Sequence, residues 1–219
     1  MEEYLKPTAF MDFQDPGVAA FAAEAAGDAR EPVDQAVRLY YAVRDGIRYD
    51  PYAFHLSEQG LKASTTLKNR RGWCVAKAIL LAALCRYQSI PARLGFADVR
   101  NHLSTERLRK QMGTDVFYWH GYTSIHIHGR WVKATPAFNI ELCEKFDLIP
   151  LEFDGQTDSI YHSFDLKGNR HMEYLNHRGE FADVPLEGIM ETFRREYQAN
   201  AETWIEGDFE TDVARETGR

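Results

Sequence analysis

The strongest pattern in the chain runs from Cys74 to Tyr87. Val75, Ala76, Ala78, Ile79, Leu80, Leu81, Ala82, Ala83, Leu84 and Cys85 leave only Lys77 and Arg86 to interrupt an apolar surface. A helix that is apolar almost all round is buried on most sides, and Pro91 blocks its continuation. Upstream, Asp15 before Pro16 reads as an N-cap with proline at the first helical position. It opens a short Ala-rich helix ending near Gly27. Pro32 opens a second helix, on which Val33, Ala36, Val37, Tyr40 and Arg44 fall on one helical row, apolar until the last position. Gly46 stops it, and Ile47–Tyr49 reads as extended.

Downstream the period changes from helical to alternating. Ala92–Val99 predicts a strand, Ser104 caps a short basic helix ending at Gly113, and Val116–Ile127 alternates. Gly129-Arg130 then predicts a hairpin turn into Trp131–Ala134. Tyr4–Phe13 alternates weakly, as a short edge strand would. Residues 57–73 are polar with Gly60 and Gly72 as punctuation, and residues 140–182 mix short strands with turn signals. Pro185 opens a last helix through Tyr197, and from Gly207 the acidic sequence is expected to fray. Helices first and strands afterwards make an α+β fold.

Composition narrows the possibilities. The 219 residues fit one domain, expected over 1–206 with a flexible acidic tail at 207–219. A formal charge of −7 opposes non-specific nucleic-acid binding. The longest apolar run, Ala78–Cys85, is far short of the roughly 20 residues of a membrane span. Met1-Glu2-Glu3-Tyr4 lacks the basic start of a signal peptide. Three cysteines are too few for a disulfide scaffold, their number is odd and two of them sit in apolar sequence, so a reducing, cytoplasmic setting is expected.

The chemistry centres on Gly72-Trp73-Cys74. A cysteine in the first turn of a helix meets unpaired N–H groups and the positive end of the helix dipole, which favour a thiolate. The same N–H groups can hold an oxyanion. Gly72 would allow a sharp turn and the close approach of a substrate backbone. A small buried core residue is the alternative for Cys74, and is the reading for Cys85 and Cys143. A nucleophilic cysteine needs a base, and His120 stands near the start of a strand, where rigid structure can hold it. An antiparallel return after Gly129 brings Thr135 near His120, the place for a residue that orients the imidazole. His126 and His128 share a strand face and could ligate zinc. His120, six residues away, is about 20 Å off along a strand at ~3.3 Å per residue, too far to share an ion. His126 and His128 are therefore read as solvated, and no metal or cofactor is expected.

Arg71-Gly72-Trp73-Cys74-Val75-Ala76-Lys77-Ala78, followed by Arg86 to Arg93 with Ile90-Pro91-Ala92-Arg93, resembles the cysteine segment of the transglutaminase-like superfamily. His120-Gly121-Tyr122, Gly129-Arg130-Trp131-Val132 and Thr135-Pro136 resemble that family's histidine–aspartate segment. Ser89 stands where glycine is usual, and Thr135 where the triad aspartate is usual. The resemblance covers about residues 35–140 and leaves 141–206 as a C-terminal elaboration. It implies a papain/transglutaminase-like core, with the catalytic cysteine at the start of a buried helix packed on an antiparallel sheet that carries the histidine.

It also implies a cysteine-dependent amide hydrolase, or acyl transferase, working through a thioester. Cys74 is then the nucleophile, His120 the base, and Thr135 or Asn139 the orienter. A threonine hydroxyl can set the imidazole's tautomer but supplies no charge. The substrate would be a peptide, a protein or a small amide, with hydrolysis the first choice. The loss of the aspartate keeps open a catalytically weak relative used as a binding or scaffold module.

Overall fold

A computed structural model describes residues 1–101, 104–160, 168, 171–197 and 207–218. The long apolar run folds as α5 of the chain, Cys74–Tyr87, and every residue from Cys74 to Arg86 is buried. Three earlier helices surround it: α1 (Pro16–Ala26), α2 (Pro32–Gly46) and α4 (Ala63–Asn69). The start of α1 is as the sequence predicts, with the Asp15 carboxylate accepting from Gly17 N–H at 2.8 Å and Val18 N–H at 3.2 Å. It ends at Gly27, whose φ of +58° suits a glycine.

The other side of α5 packs on a four-stranded antiparallel sheet in the order β5-β4-β3-β6. These strands are β3 (Ala92–Asn101), β4 (Val116–Ile127), β5 (Arg130–Ala134) and β6 (Met172–Phe181). The expected hairpin forms at Gly129, pairing Ile127 with Arg130 through Thr123 with Ala134. Thr123 ties the sheet to the helix by donating its hydroxyl to the Ala78 carbonyl at 2.9 Å. A second, two-stranded parallel ladder joins β1 (Arg48–Tyr49) to β2 (Arg71–Gly72). It delivers the chain into Cys74.

The two charges that interrupt α5 do not face solvent. Lys77 is fully buried and donates to the carbonyls of Arg44 (2.9 Å), Ile47 (2.5 Å) and Ala137 (2.7 Å). Arg86 spreads over the carbonyls of Ala92 (2.9 Å), Lys6 (2.7 Å) and Ala182 (2.6 Å). Each cation gives a donor to carbonyls from three separate segments of the chain.

Several local expectations are corrected. Residues 2–5 form a 3-10 turn, Glu2–Leu5, and no strand runs over Tyr4–Phe13. The polar stretch 57–73 holds α3 (Glu58–Leu61), α4 and β2. Thr105, not Ser104, caps α6 (Glu106–Met112), accepting from Leu108 N–H at 3.3 Å. Between 140 and 182 the described residues contain α7 (Ile140–Lys145) and the single long strand β6. Pro185 precedes α8 (Leu186–Glu196) as expected. The acidic tail does not fray: Phe209–Thr217 is α9, with Phe209, Asp212 and Val213 buried. Acidic side chains hid an amphipathic helix whose apolar face is only two residues wide. Asp212 accepts from Tyr52 Oη (2.9 Å) and Arg107 Nε (2.6 Å), and pairs with Arg215 (2.8 Å).

Candidate active site

Cys74 is the first residue of α5, and its thiol is nearly enclosed, with 5% of the residue exposed. Gly72 precedes it in β2 with no positive φ, so it makes no sharp turn. What demands glycine there is packing: a Cβ would lie 3.1 Å from Ala76 Cβ and 3.2 Å from Thr66 Cγ2. The second close approach is at Gly121. A Cβ on it would stand 3.0 Å from the Cα of Val75, so β4 rests its backbone on the first turn of α5. That contact directs the Gly121 N–H at the Cys74 sulfur and puts the residue after His120 against the thiol.

His120 is 3% exposed. It follows a bulge in β4: between the pairs Ala97 with His120 and Val99 with Phe117, β4 carries one residue more than β3. Trp119, in the bulge, has φ of +59°. Residues beyond the hairpin enclose the pair. Phe193 of α8 packs on Trp73 at a ring separation of 6.2 Å, and Tyr197 on Phe193 at 4.7 Å. Tyr197 Oη accepts from Tyr118 N–H at 2.9 Å. The phenols of Tyr49 and Tyr197 both lie where a negative charge on Cys74 would oppose their ionisation.

Burial decides the charges. It pushes the Cys74 thiol up to about 11, against the N–H groups of Gly121, Val75 and Cys74, which favour the thiolate. Burial also pulls His120 down to about 4, and the neighbouring His171 adds to the fall. The resting pair is therefore a neutral thiol and a neutral imidazole. The sequence argument for a thiolate named a real force, but burial outweighs it. Cys85 and Cys143, also buried, are pushed further, to about 12 each.

The two candidate orienters lie elsewhere in the hydrogen-bond network. The β4–β5 ladder ends at Ala134, and Thr135 turns away to pair with Ser159, its N–H on that carbonyl at 3.1 Å. Its hydroxyl is buried and makes no hydrogen bond. Asn139 accepts from Tyr49 N–H at 3.0 Å and donates to Glu141 at 2.7 Å. It braces the strand entering the site. His126 meets the Trp131 ring edge-on at 5.1 Å, and His128 occupies the hairpin turn with φ of +50°. Among the described residues no group of three His, Cys, Asp or Glu side chains could hold a metal ion. No described helix is long and apolar enough to cross a membrane.

Tyr49, Tyr197 and His171 were given no role at the site from the sequence, because only the folded chain brings them near Cys74 or His120. Lys77 did leave a signal, a lone charge in an apolar run.

A buried helix that starts on a cysteine, laid across an antiparallel strand that carries a histidine, defines a class of α+β proteins. The profile of the transglutaminase-like superfamily matches residues 19–136, more than half of the chain, and the chain belongs to that superfamily. No curated protein matches it. Among solved structures it is similar to a candidate cysteine protease from Cytophaga hutchinsonii, at 21% identity and a TM-score of 0.47. That likeness covers 61% of this chain and 40% of the other. It is also similar to a candidate protease from Parabacteroides distasonis, at 13% identity and a TM-score of 0.39, covering 54% of this chain and 22% of the other. The chain thus spans less than half the length of either.

Proposed function

We propose that this protein is a cysteine-dependent amide hydrolase or acyl transferase, with Cys74 as nucleophile and His120 as general base. The observation that carries the reading is the placement of the Cys74 sulfur at the start of α5 under the N–H of Gly121, the residue that follows His120. As substrate arrives, the imidazole takes the thiol proton while sulfur bonds to the amide carbonyl carbon. The carbonyl oxygen becomes an oxyanion within reach of helix-start N–H groups. The imidazolium returns the proton to the leaving amine as the C–N bond breaks, leaving a thioester. Water or a second amine then attacks the thioester, passes its proton through His120, and frees the thiol. The neutral resting pair suits this order, because the proton moves only when a carbonyl is present to accept sulfur. The free thiol this requires fits the cytoplasmic setting expected from the sequence.

A second reading, a catalytically weak binding module, draws support from the enclosed thiol and from the Thr135 hydroxyl, which makes no hydrogen bond. One experiment separates the two. Incubation with p-nitrophenyl acetate followed by intact-mass and peptide analysis should show one acetyl group, on Cys74. Cys74→Ala should abolish it, and His120→Ala should slow it by roughly 100-fold or more, within the range of general-base contributions. Acetylation that ignores both substitutions would leave the binding module as the surviving reading.

A further inference from the structure

We infer that the buried carboxylate of Asp98 is the residue that positions His120, by holding the left-handed Trp119 that precedes it; this rests on the role just proposed for His120. Asp98 lies on β3, next to the residue that pairs with His120, and is 5% exposed. Its Oδ1 accepts from the Trp119 N–H at 3.1 Å. The same oxygen accepts from Arg178 Nε of β6 at 2.7 Å, and Oδ2 accepts from Asn176 Nδ2 at 3.3 Å. The arginine also covers the Trp119 ring, 4.9 Å from its centroid.

The arrangement answers a specific structural problem. An inserted residue leaves a backbone N–H off the ladder inside the sheet. A left-handed tryptophan is strained, because its Cβ crowds the following carbonyl. Such a conformation persists only where its surroundings over-determine it. Here a carboxylate takes the stray N–H by a charge-assisted bond. Arg178 and Asn176 fix that carboxylate, and Thr192 of α8 holds the indole from the other side, accepting from Nε1 at 2.9 Å. The residue next in line is His120. Rotating the Trp119 backbone back to the right-handed region would re-aim the His120 side chain that follows it.

The test compares Asp98→Ala, which removes the acceptor, with Asp98→Asn, which keeps an oxygen for both the Trp119 N–H and Arg178. Thr192→Val serves as a control that loosens Trp119 only through its indole. The His120 ring is followed by NMR titration, Cys74 acetylation by mass spectrometry, and stability by urea midpoint. In the wild type His120 should stay neutral to about pH 4. In Asp98→Ala the ring should be displaced and better solvated. Its titration should rise by at least a unit toward the ordinary 6.5, and acetylation at pH 7 should fall about tenfold. Asp98→Asn should titrate as wild type, and so should Thr192→Val, even where its urea midpoint falls as far. If Asp98→Ala does not fold, Arg178→Met frees the carboxylate to swing and should move the titration in the same direction. Folded Asp98→Ala, or Arg178→Met in its place, that titrates as wild type overturns the inference, as does an equal shift in Thr192→Val. Wild-type protein that is not acetylated at Cys74 overturns the proposed function instead, while the His120 titration still reports on Asp98.

Discussion

Ser89 closes α5 with φ of +60°, in the left-handed region where a non-glycine residue pays roughly 1–2 kcal/mol. The backbone around it forms a Schellman cap: Ser89 N–H reaches the Arg86 carbonyl at 3.0 Å and Ile90 N–H the Cys85 carbonyl at 2.9 Å. The hydrogen bonds need the conformation and do not need the side chain, which is exposed. Ser89→Gly should therefore stabilise the protein by about 1 kcal/mol, read as a raised urea midpoint. His120 gives a pH prediction at the same scale. Its folded value of about 4 lies below its ordinary 6.5, so the folded state resists protonating it. The associated stability is present above about pH 6.5 and is lost as pH falls through 4, up to about 3 kcal/mol in all. Urea midpoints at pH 7, 5 and 4 should fall more steeply for wild type than for His120→Gln. Parallel curves would mean that the imidazole is not desolvated.

Lys77 acts on whole elements. Its three carbonyl partners belong to the end of α2, the entry to β1 and the segment after β5, so one ammonium fastens three pieces of chain to the helix that carries Cys74. Lys77→Met fits the volume but leaves three buried carbonyls without their donor. It should cost roughly 3 kcal/mol. Burial lowers the Lys77 pKa to about 7, below its unfolded value of about 10.4. The linked stability is present above pH 10.4 and is lost as pH falls through 7. Wild type should gain on Lys77→Met as pH rises across that window, by up to roughly 1.4 kcal/mol per unit. A difference that stays flat from pH 7 to 10 would show that the three carbonyls hold the ammonium charged throughout.

At the level of the molecule, residues after the matched core close the site. Phe193 and Tyr197 follow residue 136, where the family profile ends, yet Phe193 lies on Trp73, the neighbour of Cys74, and Tyr197 on Tyr118. Tyr197→Ala should admit water, bring the Cys74 thiol down from about 11, and speed its labelling by iodoacetamide at pH 7 by about tenfold per unit of that fall. Cys85 and Cys143, fully enclosed in the core, should label more slowly than Cys74 in both proteins. Equal labelling of the three would remove the basis for treating Cys74 as the nucleophile.

Local chemistry made the buried helix, its start at Cys74, the Gly129 hairpin and the strand bearing His120 legible in the chain. Each depends on neighbours a few residues apart: an unbroken apolar run, a proline after a capping aspartate, a glycine between alternating stretches. That the strand of His120 meets the start of α5 was legible only through resemblance to a family, because the meeting depends on Gly121 lying against Val75, two residues that are far apart along the chain. The charge state of the pair was not legible at all. A helix start favours a thiolate wherever it stands, but desolvation depends on what surrounds it, and the residues near Cys74 include Tyr49 of β1 and Tyr197 just after α8. Helix α9 was hidden for a related reason: with only Phe209 and Val213 as apolar anchors, its docking depends on Tyr49, Tyr52 and Arg107 waiting elsewhere in the fold. Thr135 shows the same boundary from the other side. Its spacing placed it beside the histidine, but Tyr40 and Ser159 take its backbone once the chain packs, with Tyr40 Oη on the Thr135 carbonyl at 3.2 Å. Spacing along a strand fixes which residues can pair; only packing against distant segments fixes where a strand stops.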